Sequence, residues 1–226
     1  MPLNLRTNDG EFTPYLKYNA KAGRFYVRPQ GATSDIEVEK PRLLFDMAHV
    51  KTGWLYYSEG SGPEKVWDPS LTQEAPRPAG PRKFKRGFEV LVFGNDPVPG
   101  IGPLGLREFS STANNVLNSF NEMYAAYEAG IIQNPGKVPF YKCAAVIPIQ
   151  GAYGTNYEPK FQLVAWVERS KAPAFDEAMA SSDTGYNNGH DGTYQNGNGY
   201  DRDPRDDYPD RRAYERTPDL DDEIPF

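Results

Sequence analysis

The sequence predicts a mainly β domain followed by a disordered acidic tail, on three observations. Short runs rich in Val, Phe, Tyr and Trp, bounded by Gly, Pro and Asn, recur through the first 172 residues. Only one segment has convincing helical spacing. Residues 1–172 carry 20 Lys and Arg against 17 Asp and Glu, net +3, whereas residues 173–226 carry 5 against 14, net −9. Such charge asymmetry indicates contact with nucleic acid or membrane, although the overall pI is about 5.1.

Five strands are predicted from these runs. The first is Arg24–Pro29, to which the segment Arg42–Met47 could belong. The other four, in chain order, are Gly53–Glu59, Gly87–Gly94, Phe140–Gln150 and Phe161–Arg169.

One helix is predicted over about residues 112–129, after two serines suited to its start. Spacings of three and four place Val116, Phe120, Met123 and Tyr127 on a single face. Gly130 is expected to end the helix in a left-handed conformation.

The order of these elements places the helix between the third and fourth strands. That is the arrangement of an OB-fold-like five-stranded Greek-key barrel, a fold whose open face and loops bind single strands. We therefore expect residues 1–172 to form an OB-fold domain. Residues 173–219, rich in Gly, Asn and Asp, read as a disordered linker, and residues 220–226 as a separate tip.

No catalytic or metal-binding motif is recognised. The Gly/Pro run "GNDPVPGIGPLGLRE" (Gly94–Glu108) lacks the dinucleotide spacing and is interpreted as the turn that leads into the helix. One cysteine, Cys143, and two histidines, His49 and His190, leave little for a metal site. We expect a non-enzymatic protein of the reducing cytoplasm, without a cofactor and without a membrane span.

Cationic and aromatic residues interleave along the first strand. Strand alternation puts Arg24, Tyr26 and Arg28 on one face. Phe25 and Val27 fall on the other, apolar face. Two guanidinium groups flanking an aromatic ring suit the phosphates and unpaired bases of a single strand.

The long loop predicted between the second and third strands carries a second group of candidates. It closes with Lys83, Phe84, Lys85 and Arg86, and it contains Trp67. Long loops in compact domains are usually functional or disordered. The basic run could be only a solvated loop tip, but Phe84 within it favours binding of a nucleic-acid single strand.

The remaining aromatic candidates are Trp54, Tyr153 and Tyr157. Trp54 shares a strand face with Tyr56, so either core packing or ligand contact is open to it. Tyr153 and Tyr157 lie between the last two predicted strands, on a loop that borders the binding face in an OB-fold. Two positions stay open for Trp166: one facing outward or into a binding groove, and one packed at the edge of the sheet.

The chain ends in "LDDEIPF", which closely resembles the C-terminal tip of bacterial single-stranded DNA-binding proteins. The layout of domain, Gly/Asn/Asp-rich linker and acidic tip is also similar. By this resemblance Pro225 and Phe226 would anchor in an apolar pocket of a partner, with Ile224 beside them. Asp221, Asp222 and Glu223 would meet basic residues of that partner.

The resemblance implies single-stranded DNA as one partner, and host or phage replication, recombination and repair proteins as the others. The body departs from the usual bacterial form, and a divergent phage protein in a bacterial or phage-infected cytoplasm fits better. A homo-oligomer stays open. The rival hypotheses are an adaptor or decoy that presents the tip without binding DNA, and a nuclease.

Overall fold

A computed structural model describes residues 14–57, 63–151 and 154–183. The first strands are β1 (Tyr15–Asn19), β2 (Arg24–Val27), β3 (Ile36–Val38), β4 (Arg42–Phe45), β5 (Lys51–Tyr56) and β6 (Glu64–Trp67). They are followed by β7 (Lys85–Val98), β8 (Gly102–Ser111), helix α1 (Asn114–Ile131), β9 (Lys137–Gly151), β10 (Gly154–Glu168) and helix α2 (Ala174–Asp183). Single 3-10 turns occupy Met47–His49 and Arg169–Lys171. The described chain is mainly β, as predicted.

All ten strands belong to one curled, open sheet. Its central part has the order β10-β9-β4-β7-β8, in which β4 pairs with both β7 and β9. The 3-10 turn at Met47–His49 separates β4 from β5, and both strands pair with β7. Both β4 and β5 therefore lie along β7, one on each side of the 3-10 turn.

The N-terminal strands β1, β2 and β3 form a meander that continues the sheet beyond β8. β1 runs parallel to β8, with Leu16 opposite Phe109. The turn between β1 and β2 reaches the other end of the sheet, where the Tyr157 amide donates to the Ala20 carbonyl over 2.7 Å. Phe25 packs edge-on against Phe161 of β10 at 5.9 Å. The meander therefore spans the opening between β8 and β10.

Strand alternation gives the sheet a core face and an outer face. The core face holds the largest cluster of buried apolar side chains, with Phe45 at its centre. Phe45 makes edge-on contacts with Tyr141, Phe161 and Phe109, at centroid distances of 5.5, 5.6 and 6.4 Å. Helix α1 covers this cluster, and its Phe120 stacks on Phe88 at 3.8 Å.

The predicted helix is confirmed, two residues later than expected at each end. Val116, Phe120 and Met123 are buried, and Tyr127 is partly buried against the same cluster. The prediction that Gly130 ends the helix in a left-handed conformation is wrong, because the helix runs through Gly130 to Ile131. Gly136, with φ of 72°, makes the turn into β9 instead.

The prediction of five strands is wrong, because the described residues alone form ten. The Gly/Pro run Gly94–Glu108 was expected to be a turn, but β7 extends to Val98 and β8 begins at Gly102. The β7–β8 hairpin accommodates these Gly and Pro residues through a bulge between Gly94 and Pro97 and through the positive φ of Gly105 (70°). Propensity disfavours Gly and Pro in strands, but pairing with neighbours on the core outweighs it.

The predicted linker begins at residue 173, yet Ala174–Asp183 is helical. Phe175 is fully buried on the outer face, in a second apolar cluster with Leu44 and Val138. Arg169, just before α2, bonds Asp176 within it at 2.8 Å and the buried Asp46 at 2.8 Å. One large apolar residue thus fixes the start of this helix. Within the described ranges, neither helix has the length and apolarity needed to cross a membrane.

Candidate nucleic-acid interface

The predicted alternation of β2 is confirmed. Phe25 and Val27 are buried at 2% and 1% exposure, while Arg24 and Arg28 are exposed on the outer face beside Tyr26. Both guanidinium groups have carboxylate partners on or next to β3. Arg24 donates to Glu37 at 2.6 Å, and Arg28 to Asp35 at 2.7 Å.

Register extends this outer face across the sheet. On β1, Lys17 is opposite Tyr26 of β2, and Tyr15 is opposite Glu108 of β8. Ser110 lies two residues after Glu108 on the same face of β8, and it is opposite Glu89 of β7. Glu89 is in turn opposite Lys51 of β5, and on β6 Lys65 and Trp67 share that face. We call this surface the outer lane. Its members are Lys51, Lys65, Trp67, Glu89, Glu108, Tyr15, Lys17, Arg24, Tyr26, Arg28, Asp35 and Glu37.

Trp67 lies at one end of the outer lane, in strand β6 rather than in the loop where the sequence placed it. The ammonium groups of Lys51 and Lys65 each lie 5.8 Å from its ring centroid. Gly53 is directly opposite Trp67, and a Cβ there would approach its Cε3 to 3.0 Å. The missing side chain lets the half-exposed indole lie against the strand between two cations.

Trp54 lies on the opposite side of β5 from Trp67. It is directly opposite Arg86 of β7, whose Cζ is 5.3 Å from its ring centroid. Arg77, from the loop after β6, places its Cζ at 5.5 Å, and the indole Nε1 donates to the Ala75 carbonyl at 2.9 Å. The predicted residues Trp54 and Arg86 are therefore brought together, but apart from the outer lane.

Asp68 holds this second group in place. Its carboxylate accepts two hydrogen bonds from Arg86, at 2.7 and 2.5 Å, and others from Thr52 Oγ1 and the Ala75 amide. Hydrogen bonding to Arg86 lowers the pKa of Asp68 far below its ordinary value. Arg86 is thus a structural partner of Asp68, and its charge is already compensated.

The other members of the basic run differ among themselves. Phe84, predicted to stack on a ligand, is buried at 6% exposure and packs on Tyr56 at 5.6 Å, which is the position of a core residue. Lys83 and Lys85 are exposed. Lys85 is opposite Leu55 and faces the same side of the sheet as Trp67.

The predicted tyrosines and tip have separate outcomes. Tyr157 lies in β10 rather than in a loop, and it packs under the β1–β2 turn, where a Cβ on Gly23 would approach its Cγ to 2.9 Å. Tyr153 and the tip residues Asp221, Asp222, Glu223, Ile224, Pro225 and Phe226 lie outside the described residues.

Sequence reasoning missed the cations that accompany the tryptophans. Lys51 and Lys65 flank Trp67, and Arg77 lies over Trp54. Lys65 alternates with Val66 and precedes Trp67 by two, which is the one local signal for a shared strand face. Arg77 has no such signal, because a Pro-rich loop folds back over β5.

A cavity of about 170 Å³ lies away from these groups, at the C-terminal end of α1. Its lining is largely apolar and includes His49, Lys137 and Arg169. Each of these groups is close to a carboxylate, at 3.0 Å from His49 to Asp46, 3.6 Å from Lys137 to Glu168 and 2.8 Å from Arg169 to Asp46. None of the predicted site residues lines it.

Comparisons with protein-family models, with curated proteins and with solved structures each returned no match for this chain.

Proposed function

We propose that this protein binds single-stranded DNA along the outer lane, and that its C-terminal tip recruits replication, recombination and repair enzymes. The observation that carries the proposal is the half-exposed Trp67 indole between Lys51 and Lys65, on a strand face that continues to Tyr26 between Arg24 and Arg28. An aromatic face stacks on any base, and the cations farther along the lane, Arg24 and Arg28, would meet the phosphates.

An OB-fold-like domain is part of the proposal. The β9-β4-β7-β8 order of the sheet supports it. If β4 and β5 are counted together as the first strand and β7 as the second, β8 and β9 are the third and fourth strands, and α1 lies between them in the chain. OB-folds bind oligonucleotides on the face of their second and third strands and on two flanking loops. In this chain that face is the outer lane on β7 and β8. The segments that flank this face are the β5–β7 connection, in which strand β6 carries Trp67, and the connection between β9 and β10.

The charge of the lane allows this use. It contains five cations, Lys17, Arg24, Arg28, Lys51 and Lys65, against four carboxylates, Asp35, Glu37, Glu89 and Glu108. The Arg24 and Arg28 side chains are exposed, so solvent screens their ion pairs and these contribute little to stability. A phosphate can therefore replace either carboxylate at small cost, and binding should weaken as salt rises.

The tip is proposed on sequence resemblance alone. Its acids, aliphatic residue and terminal aromatic match the docking peptide of bacterial single-stranded DNA-binding proteins, with Glu223 at the third acid. Phe226→Ala should abolish capture of such enzymes and leave affinity for DNA unchanged.

The proposal is tested by titrating the full chain into fluorescently labelled oligo-dT at two salt concentrations. Trp67→Ala should weaken binding about fivefold or more, since base stacking on an aromatic side chain contributes about 1–3 kcal/mol. Trp166→Phe is the matched control, because Trp166 packs on Tyr127 at 5.9 Å, away from the outer lane.

Equal affinity of wild type and Trp67→Ala would remove Trp67 from the interface. If the wild type binds no oligonucleotide but its tip still captures a repair enzyme, the adaptor hypothesis replaces the present one.

A further inference from the structure

One position along the outer lane is unsuited to a phosphate. Lys65 Nζ donates to both Glu89 and Glu108, with the Glu108 contact at 2.7 Å. Side-chain exposure is 20% for Lys65, 14% for Glu89 and 20% for Glu108. Two half-buried carboxylates thus share one ammonium in the middle of the surface. Burial and the neighbouring Glu89 raise the pKa of Glu108, as expected for two acids this close.

The two oxygens of Glu108 are used unequally. Lys65 and Ser110 Oγ both donate to Oε1, at 2.7 and 3.4 Å. No described donor bonds to Oε2. Glu89 differs, because Lys65 donates to one of its oxygens and Lys51 lies 3.8 Å from the other. Glu108 therefore accepts from Lys65 and Ser110 through one oxygen, and its carboxyl group is also hydrogen-bonded to the Glu89 side chain, which contributes to its raised pKa.

The Lys65 ammonium links this carboxylate to an aromatic surface. Lys65, which bonds Glu108, is also 5.8 Å from the ring centroid of Trp67. A base stacked on the Trp67 indole would therefore lie near the Lys65 ammonium, to which Glu108 is bonded. The indole is an observation independent of the acids, and it specifies a flat, aromatic ligand.

The Glu108 carboxylate as an acceptor and the Lys65 ammonium as a donor would favour some bases over others. A carboxylate accepts two parallel N–H bonds, and the Watson–Crick edge of guanine offers N1–H and N2–H side by side, with O6 next to them for an ammonium donor. Thymine offers a single N–H between two carbonyl oxygens, which a carboxylate repels. Adenine and cytosine each offer one amino group, so guanine fits best.

We propose that Trp67, Lys65 and Glu108 form a pocket for one unpaired guanine: the base stacks on the indole, its N1–H and N2–H donate to Glu108, and Lys65 donates to O6. This inference rests on the proposed function, and it adds a base preference that stacking alone does not give. Bidentate base contacts discriminate by roughly tenfold or more.

The test uses oligo-dT carrying one central guanine, inosine or thymine, titrated into the full chain. Inosine keeps N1–H and O6 and lacks only the 2-amino group. We expect the guanine oligonucleotide to bind about tenfold more tightly than the thymine one, with inosine between them. Glu108→Gln should bring the guanine-to-thymine ratio close to one, because an amide has only one acceptor oxygen.

Glu122→Gln is the matched control, since Glu122 is also ion-paired, to Lys160 at 2.8 Å, but lies on α1. It should leave the ratio unchanged. Equal wild-type affinity for the three oligonucleotides would overturn the guanine pocket and leave the proposed function standing, even if Glu108→Gln failed to fold. Absence of binding to all three would instead overturn the proposed function.

Discussion

The indole of Trp166 lies against the backbone of Gly130, so closely that a Cβ built on this glycine would be 2.5 Å from Cζ2 of the ring. This contact joins the last turn of α1 to β10. It explains why a residue that weakens helices lies inside one, since Gly costs about 1 kcal/mol relative to Ala in a helix interior.

Gly130→Ala should therefore destabilise the protein, against the gain in helix propensity, by about 1–3 kcal/mol of overpacking. Chemical denaturation measures the change. The double variant Gly130→Ala, Trp166→Ala should be more stable than the sum of the two single changes predicts. Stabilisation by Gly130→Ala alone would show that the ring moves aside freely.

Asp68→Asn should lower stability at neutral pH by about 2 kcal/mol, because it removes the charged partner of Arg86 from a site where Asp68 is 3% exposed. The folded pKa of Asp68 is depressed, so its contribution is present above the unfolded pKa of about 3.9 and is lost as pH falls further. The difference in free energy of unfolding between wild type and Asp68→Asn should thus become smaller below about pH 4.

Asp35→Asn is the comparison for that experiment. Its carboxylate is bonded to Arg28 at 2.7 Å and lies 3.7 Å from Lys17, and the substitution should destabilise the protein less than Asp68→Asn does, because solvent screens the exposed Arg28. A gap between wild type and Asp68→Asn that stayed constant down to pH 2 would contradict the role given to the Asp68 charge.

Cys143 should be unreactive while the protein is folded. Burial raises the pKa of its thiol to about 11, and the residue is 4% exposed on the core face. The thiolate that reacts with a disulfide reagent is therefore scarce at pH 8 and inaccessible. Labelling should begin only in denaturant, at the midpoint reported by tryptophan fluorescence, and rapid labelling of the native protein would contradict the packing described.

Truncation after residue 183 should preserve stability, whereas truncation after residue 172 should not. The shorter chain loses Phe175, which is fully buried against Leu44 and Val138. Loss of a buried Phe side chain costs about 3–5 kcal/mol in protein cores. Phe175→Ala in the full chain is the matched control and should show a similar loss by thermal denaturation. Equal stability of the two truncated chains would place α2 outside the folded body.

Removal of residues 184–226 should tighten binding of oligo-dT, most strongly at low salt. These residues carry 11 Asp and Glu against 5 Lys and Arg, so under the proposed function we expect them to compete with DNA for the outer lane. Salt screens that competition, since the Debye length is about 8 Å at physiological ionic strength. If both chains are folded and bind oligo-dT with equal affinity at low salt, such competition is excluded.

Much of the candidate site follows from local pattern. A period of two placed Phe25 inside and Arg24 outside without any knowledge of the partner strands. A spacing of three and four placed Val116 and Phe120 on the buried face of α1. These assignments depend only on which side of its own backbone a residue occupies.

Long-range pairing decided the rest. The Asp68–Arg86, Asp35–Arg28 and Glu37–Arg24 contacts depend on which strand, and which register, meets each arginine. Phe84 reads as a ring among cations in the sequence, and only the fold of its loop buries it on Tyr56.

By itself, then, the sequence determined a mainly β body, the faces of its strands, one helix and an acidic tail, because periodicity and composition are local properties of the chain. Tertiary structure alone decided that β8 is a strand, that Phe175 anchors α2, and that Lys65 connects Trp67 to Glu108. The reason is register: the free energy of these contacts comes from residues that are distant in the chain and adjacent only in the folded sheet.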